Sequence, residues 1–170
     1  MKPRPVILAT CAVKTPRGSF AAHYSAAGLA RLDFPGRKKP AQTPVLSPAV
    51  RRWHNQACRA LARVLQGRAP GELPPLDLSA GTPFQRKVWT ALRQIPAGQT
   101  QSYGRLAAAL GAPKAARAVG SACGANPIPL LIPCHRVLSA GGGLGSFSGG
   151  LLWKRMLLAG EGCEPQSCTQ

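Results

Sequence analysis

Residues 102–123 read SYGRLAAALGAPKAARAVGSAC, and this stretch decides the architecture of the second half of the chain. Ser102 is a typical N-cap residue, and apolar residues recur after it at helical spacing. Gly111 predicts the end of this first helix, and Ala112-Pro113 predict the start of a second helix that runs to about Cys123. Two short helices joined by a tight turn that contains glycine are typical of a helix-turn-helix.

The second of these helices carries mostly small side chains, with Lys114 and Arg117 beside them. Small side chains let a helix approach another surface closely, and that surface can be a neighbouring helix or a DNA groove. The two basic residues favour DNA, because they supply positive charge next to the small face.

Outward from the helix-turn-helix, the remaining C-terminal elements are marked by capping and breaking residues. The capping box at residues 82–85 predicts a helix that ends at Pro96-Ala97-Gly98. Prolines bracket a short apolar run at residues 130–132, and the glycine-rich residues 141–150 predict a loop. A final helix is expected from about Leu151 to Gly160.

The N-terminal half predicts three short strands followed by one long helix. The helix begins at Ser47-Pro48 and is closed by Gly67. A basic loop rich in breakers, residues 35–43, precedes it, and residues 68–81 with their three prolines read as a linker. The predicted strands are residues 6–13, 19–25 and 29–34.

These elements predict an α/β (α+β) fold in two parts. We expect a strand-rich N-terminal domain with one long helix and a linker over residues 1–81. A helical C-terminal domain with the helix-turn-helix would span residues 82–162, and residues 163–170 are expected to form a flexible tail.

The charge of the chain is strongly unbalanced, with 22 Lys+Arg against 5 Asp+Glu and a net charge of +17. Such an excess favours nucleic acid as a partner, ahead of an anionic membrane surface. The alternative is a high-pI chain that its charge keeps in solution. No zinc-finger spacing, export signal or membrane-length apolar run is present in the sequence. We therefore expect free thiols in a reducing, intracellular compartment.

The stretch from Ile132 to Val137 reads IPCHRV and places a cysteine next to a histidine. A nucleophilic cysteine needs a base or a positive neighbour to reach the thiolate form. Adjacency alone is weak evidence, because successive side chains usually diverge.

The surroundings of this stretch make the pattern specific. With their order and spacing, the motifs over residues 82–162 resemble the O6-alkylguanine-DNA alkyltransferase family, and the N-terminal half matches it more weakly. The motifs that carry the resemblance are NPIP at residues 126–129, PCHRV at 133–137, SYGRLA at 102–107, PKAARAVG at 113–120, SGG at 148–150 and KRMLLAGEG at 154–162.

The resemblance implies a set of catalytic residues. Cys134 would accept the alkyl group, His135 would take the thiol proton through a bound water, and Glu161 would orient that histidine. Asn126 would brace the turn that holds the cysteine. Tyr103 would help to rotate the nucleotide out of the duplex and donate a proton to the departing guanine.

The resemblance also implies a DNA surface and a base pocket. Arg117 would fill the gap that the extruded nucleotide leaves in the duplex. The other expected DNA-binding residues are Ala116, Lys114, Gly120 and Ser102. The pocket would be lined by Pro129, Val137, Phe147 and Ser148.

The resemblance implies that the reaction is an irreversible displacement at the alkyl carbon, with one turnover per molecule and no cofactor. The partner would be double-stranded DNA containing O6-alkylguanine, bound through its minor groove by a monomer. The location would be the cytoplasm or nucleoid, or the nucleus in a eukaryote.

The chain departs from the family pattern at a few positions. Phe147 stands where some members have tyrosine, and Gly124 stands where some carry a basic DNA contact. Ser25 and Ala30 occupy the region in which some relatives bind zinc, so we expect no metal.

Three alternatives remain at this stage. A non-catalytic relative would bind alkylguanine in DNA and recruit other repair machinery, but such relatives lack the acceptor cysteine. A DNA-binding regulator would leave Cys134 and Glu161 unexplained. A cysteine hydrolase would need an oxyanion hole and would turn over repeatedly.

Overall fold

The computed structural model describes residues 5–36 and 45–163. Most of the predicted basic loop and all but the first residue of the predicted tail lie outside the described residues. In the described part, the mixed α/β fold is confirmed, with a three-stranded sheet, a two-stranded sheet and five helices.

The N-terminal sheet is antiparallel, with strand order β1-β2-β3. Its strands are β1 (Ala9–Thr15), β2 (Gly18–Ser25) and β3 (Gly28–Asp33). The predicted first strand, residues 6–13, began and ended too early: Val6 to Leu8 are exposed, and the paired residues run from Ala9 to Thr15. The other two strands are confirmed to within one residue.

The long helix α1 (Pro48–Leu65) begins where the sequence predicts. The Ser47 hydroxyl accepts a hydrogen bond from the Val50 amide at 3.3 Å. Gly67 follows the helix with φ +72°, and a Cβ at this position would meet the Gly160 carbonyl oxygen. Glycine is therefore required for both the left-handed conformation and the close approach to the C-terminal helix.

The stretch predicted as a linker lies against the sheet. The Leu29 amide donates to the Pro75 carbonyl and the Asp77 amide donates to the Leu29 carbonyl, each at 2.8 Å. The buried Asp77 carboxylate also accepts a 2.5 Å hydrogen bond from the Ser25 hydroxyl. These bonds hold residues 75–77 at the β3 edge of the sheet.

The C-terminal half contains α2 (Pro83–Leu92), β4 (Gln101–Ser102), α3 (Tyr103–Ala109) and α4 (Ala116–Gly124). The predicted start of the last of these helices at Ala112-Pro113 is wrong. The Ala115 amide instead closes a turn onto the Ala112 carbonyl at 2.8 Å, and proline suits such a turn.

A short 3₁₀ turn (Cys134–Arg136), β5 (Val137–Leu138) and α5 (Leu151–Gly160) complete the chain. Strand β5 pairs with β4 in parallel. This unpredicted pairing ties the start of the helix-turn-helix to the turn that contains the cysteine.

The two halves share an aromatic cluster. Phe20 and Phe34 of the N-terminal half lie 5.4 and 5.2 Å from Trp153, measured between ring centroids. Phe34 also contacts Phe147 at 5.7 Å. The sheet therefore packs directly behind the loop and helix that follow the cysteine.

Candidate active site

Cys134 begins the 3₁₀ turn and is buried. The Asn126 side chain holds this turn in place. Its Nδ2 donates to the Ile132 carbonyl at 2.8 Å and to the Cys134 Sγ at 3.2 Å, and its Oδ1 accepts from the Ile128 amide at 3.0 Å. The buried side-chain amide of Asn126 thus joins the backbone at residues 128 and 132 and donates a hydrogen bond to the sulfur.

Behind the cysteine lies a buried ionic cluster. His135 Nε2 is 3.1 Å from Glu161 Oε1. Arg136 donates to the same carboxylate through Nε at 3.0 Å and Nη2 at 2.7 Å, and through Nη1 to the Ile95 carbonyl at 2.5 Å. The side chains of His135 and Glu161 are fully buried. Glu161, which follows the last residue of α5, therefore contacts both the histidine and the arginine of the 3₁₀ turn.

These contacts assign the protonation states of the cluster. Burial raises the pKa of Glu161, but hydrogen bonds and charges from His135 and Arg136 outweigh it and bring the pKa to about 2. Burial lowers the pKa of His135, against the opposing effect of Glu161. An ionised carboxylate only accepts, so a neutral His135 carries its proton on Nε2. Its Nδ1 is then a lone-pair acceptor, and this buried atom has no hydrogen-bond partner among the described residues.

The thiol itself is held in an environment that opposes ionisation. Burial raises the pKa of Cys134, while the Asn126 hydrogen bond and the positive charge of Lys154 lower it. Burial outweighs the effects that lower the pKa of Cys134, so this pKa remains raised. The site thus keeps the sulfur protonated at rest and supplies groups that favour the thiolate once the proton leaves.

Lys154 is fully buried on α5. Its Nζ donates to the Val137 carbonyl at 2.7 Å and to the Leu144 carbonyl at 2.5 Å. Burial lowers its pKa, and the nearby Cys134 and Cys123 oppose this shift. The lysine thereby ties the strand after the cysteine to the glycine-rich loop.

Tyr103 lies between α4 and the glycine-rich loop. A Cβ on Gly120 would lie 3.8 Å from the tyrosine ring, and a Cβ on Gly145 would lie 3.0 Å from its hydroxyl. Burial, followed by the proximity of Cys123 and Cys134, raises the pKa of Tyr103 to about 12. The phenol therefore keeps its proton at neutral pH and can donate it.

Of the four residues expected to line a pocket, Val137 follows the turn directly and Phe147 contacts it. Pro129 and Val137 are buried, and Phe147 and Ser148 are half-buried. The Phe147 ring stands edge-on to the His135 ring, with 6.4 Å between centroids. Ser148 lies in the turn that precedes α5.

The residues expected to contact DNA lie on the helix-turn-helix. Arg117 is exposed in the first turn of α4, Lys114 is exposed in the turn that precedes this helix, and Ala116 and Gly120 are half-buried on it. The Ser102 hydroxyl caps α3 by accepting from the Arg105 amide at 3.2 Å. These residues thus lie on or beside α3 and α4, and Tyr103, the first residue of α3, is close enough to Cys134 for the two groups to affect each other's charge.

Arg136 and Lys154 are site residues to which the sequence analysis gave no role. Lys154 could have been found from α5, because positions 154, 157 and 158 are its buried positions and share one helix face. Arg136 could have been suspected because Glu161 is isolated among basic residues and needs a buried partner.

The described cysteines are all free. In residues 5–36 and 45–163, no three His, Cys, Asp or Glu side chains come together in a group that could hold a metal ion. No helix in this part of the chain is both long and apolar enough to cross a membrane.

Comparisons with known proteins identify the family of the chain. The family model for the DNA-binding domain of 6-O-methylguanine DNA methyltransferase matches residues 83–163. A methylated-DNA–protein-cysteine methyltransferase of Methanosarcina acetivorans is 40% identical over 140 residues, which are 79% of this chain and 86% of that protein. The protein of the same name from Salmonella typhimurium is 58% identical over 84 residues, 49% of each chain. The match therefore spans about half the length of that relative.

The fold comparison extends over nearly the whole chain. The crystal structure of Mycobacterium tuberculosis OGT in complex with DNA superimposes with a TM-score of 0.73 and 38% sequence identity. It covers 90% of this chain and 92% of that one. Sequence, fold and the arrangement around Cys134 lead to one conclusion: the chain belongs to the O6-methylguanine-DNA methyltransferase family.

Proposed function

We propose that this protein repairs O6-alkylguanine in DNA by transferring the alkyl group irreversibly to Cys134. The observation that carries the proposal is the buried set of contacts that begins at the Cys134 sulfur and passes through Asn126, with the His135–Glu161 pair beside it. Membership of the family supports the same chemistry.

Activation begins with removal of the thiol proton. His135 is neutral, Glu161 holds its Nε2–H, and Nδ1 is the remaining basic atom. A bound water would carry the proton from Cys134 to this nitrogen. The Asn126 N–H and the Lys154 charge would then stabilise the thiolate against the cost of burial.

The chemical step is a displacement at the alkyl carbon. The sulfur forms a bond to the carbon, the bond from carbon to guanine O6 breaks, and guanine keeps the electron pair. Tyr103 would protonate the departing base, and its raised pKa keeps that proton available at neutral pH. These two proton transfers leave His135 protonated and Tyr103 deprotonated. Return of one proton from His135 to Tyr103 through water would restore both side chains, so that overall the thiol loses one proton and guanine gains one. The thioether product has no easy hydrolytic route, so each molecule acts once.

Access to the base requires the nucleotide to leave the duplex. Helix α4 would enter the minor groove, where its small residues allow close approach. Extrusion costs a few kcal/mol of stacking and pairing, and the exposed Arg117 would offset part of this cost by filling the gap. Pro129, Val137, Phe147 and Ser148 would then enclose the base.

Two further features belong to the proposal. A single copy would bind each lesion, and the chain would act as a monomer. Residues 82–162 would form the DNA-binding and active-site domain, with residues 1–81 as a supporting domain.

The test is a count of lesions repaired per protein chain. An excess of duplex containing one O6-methylguanine is mixed with the protein, and restored guanine is quantified by chromatography after digestion. We expect repair to stop at one lesion per chain, with none repaired by Cys134→Ser. Cys123→Ser is the matched control, because it removes the neighbouring buried thiol and should still repair one lesion per chain.

Two outcomes would reject the proposal. Repair that continues past one lesion per chain would indicate hydrolytic turnover. Tight binding of the lesion without any repair would indicate a protein that only recognises alkylguanine.

A further inference from the structure

Helix α1 carries a stripe of four exposed arginines that the proposed repair reaction does not use. Arg51, Arg52, Arg59 and Arg63, the arginine stripe, are all exposed, and α1 contains no acidic residue. At about 100° per residue they fall within a sector of about 120°, opposite the buried apolar face of the helix. From the first to the last, the stripe extends about 18 Å along the helix axis.

None of these arginines has an ion-pair partner in the described part of the chain. The acids there are used elsewhere. Asp33 pairs with Arg31 and Glu161 pairs with Arg136, while Asp77 accepts from Ser25. Glu72, the nearest acid to α1, accepts a 2.6 Å hydrogen bond from Gln56. Glu72 lines one groove with Arg52 but forms no ion pair with it, so the four positive charges of the stripe face a single nearby acid among the described residues.

The stripe also has a shape suited to a linear polyanion. Arg51, Arg52 and Arg59 border a shallow groove of about 360 Å³ that Pro48 and Asn55 complete. Each strand of duplex DNA carries one phosphate per about 3.4 Å of axis, so a stripe of this length runs alongside about five phosphates of one strand. Arginine forms bidentate hydrogen bonds with phosphate oxygens, which suits it to such a surface.

This surface lies apart from the helix-turn-helix. Helix α1 packs on the sheet and on α5, whereas α4 packs on α2 and α3. A DNA segment held by α4 therefore leaves α1 with its own unneutralised charge.

We propose that the arginine stripe of α1 is a second DNA-binding surface, which holds a further duplex segment by its phosphates while α4 holds the first. The inference rests on the proposed DNA binding by α4. It makes the protein a bridge between two duplex segments, with no base readout at the second.

A membrane surface is the weaker alternative because of the way α1 is buried. A helix that binds a bilayer inserts an apolar face into the interface. The apolar face of α1, with Val50, Ala57, Leu61 and Val64, is instead packed in the core. The exposed face of α1 carries the arginines and Asn55, and its exposed apolar residues are only the small Pro48 and Ala62, so it has no large apolar side chain to insert into a bilayer.

A two-duplex capture assay tests the proposal. A short duplex is tethered to beads and saturated with protein, and a second, fluorescent duplex is added after washing. The variant is Arg51→Gln/Arg59→Gln. The matched control is Lys14→Gln/Arg17→Gln, which removes the same charge from exposed positions on the β1–β2 hairpin. Binding to the tethered duplex and methyl transfer from a short duplex are measured alongside for every protein.

We expect the unmodified protein and the hairpin variant to capture the second duplex, and the α1 variant to capture about tenfold less. Raising the salt concentration should weaken capture. First-duplex binding and methyl transfer should stay unchanged in both variants.

Equal capture of the second duplex by the α1 variant and the unmodified protein would overturn the proposal. An equal loss of capture in the α1 variant and the hairpin variant would also overturn it, because capture would then depend only on the net charge of the protein. Vesicles with an anionic phospholipid, added in place of the second duplex, should not be retained, and their retention through the stripe would favour a membrane. If the unmodified protein did not bind the tethered duplex at all, the DNA binding proposed for α4 would be rejected instead.

Discussion

At the scale of single residues, the site depends on one buried carboxylate. Glu161 accepts hydrogen bonds from His135 and Arg136, and no water-exposed surface remains on these side chains except a small part of the arginine. A buried ion pair contributes little net stability, but removal of one partner leaves the other uncompensated. The carboxylate therefore affects both the stability of the fold and the proton acceptor beside the thiol.

Glu161→Gln should destabilise the protein by about 3–5 kcal/mol, because Arg136 remains buried without its counterion. Urea unfolding measures this loss. Methyl transfer in the remaining folded protein should slow by about 10²-fold, since His135 loses the carboxylate charge that supports protonation of its Nδ1. Glu72→Gln, at an exposed acid, is the control and should leave both quantities nearly unchanged.

The pH dependence of this loss follows from the lowered pKa of Glu161. The contribution of the ionised Glu161 to the free energy of unfolding is full above the ordinary pKa of 4.5, and it disappears as the pH falls through about 2. The difference in unfolding free energy between the unmodified protein and Glu161→Gln should therefore shrink as the pH falls from about 4.5. A difference that stays constant down to pH 2 would contradict the assigned charge.

The transfer rate has its own pH dependence, set by His135. Burial lowers the pKa of this histidine below 6.5, so its neutral, basic form persists into mild acid. Single-turnover transfer, followed by rapid quench, should be flat from pH 8 to 6.5 and decline only below that. An inflection of the transfer rate above pH 6.5 would contradict the lowered pKa of His135.

The residue scale also shows what the sequence could and could not reveal. Cys134, His135 and Glu161 could be named in advance, because their motifs match a family. Lys154 and Arg136 were missed, because a charged side chain is normally exposed. The sequence holds only weak signals for them, namely the helix face that Lys154 shares with two leucines and the isolated acid Glu161, and tertiary packing shows that both are buried.

At the scale of elements, capping residues determine most boundaries. Ser47, Thr82 and Ser102 each cap the helix that the sequence predicts. Helix α4 is the exception, because Pro113 belongs to the preceding turn and Ala115 offers no side-chain cap. The pairing of β4 with β5 could not be predicted, since two-residue strands have no periodic pattern.

The proposed role of α4 predicts a specific defect for Arg117→Ala. Transfer from duplex DNA should slow by about tenfold or more, because no side chain would then fill the gap that the extruded nucleotide leaves among the stacked bases. Transfer from a single-stranded oligonucleotide with O6-methylguanine should be nearly unchanged, since no pairing is lost there. Arg86→Ala on α2 controls for the loss of one exposed charge, and an equal slowing on both substrates would argue against the insertion role.

At the scale of the whole molecule, the N-terminal sheet supports the site through aromatic contacts. Phe34 packs on Trp153 and Phe147, and Phe147 in turn contacts the His135 ring. The Leu32 amide also donates to the Pro127 carbonyl at 2.9 Å. The order of strands and helices could be predicted from local patterns, but these contacts between distant parts of the chain could not.

Phe34→Ala should therefore destabilise the protein by about 3–5 kcal/mol through loss of this packing. It should also slow methyl transfer in the folded protein, because Phe147 loses its support beside the active turn. Val45→Ala, at an exposed apolar position, is the control. Two independently folding halves would instead show the stability loss without any change in transfer rate.

The central claim is that Cys134 itself receives the alkyl group, and intact-mass spectrometry with peptide mapping tests it most directly. After the protein is mixed with a duplex containing O6-methylguanine, the account predicts a mass gain of one methyl group per chain, located on the peptide that contains Cys134. Cys134→Ser should show no gain. Repair of the duplex with no added mass, or a methyl group on another residue, would contradict the account.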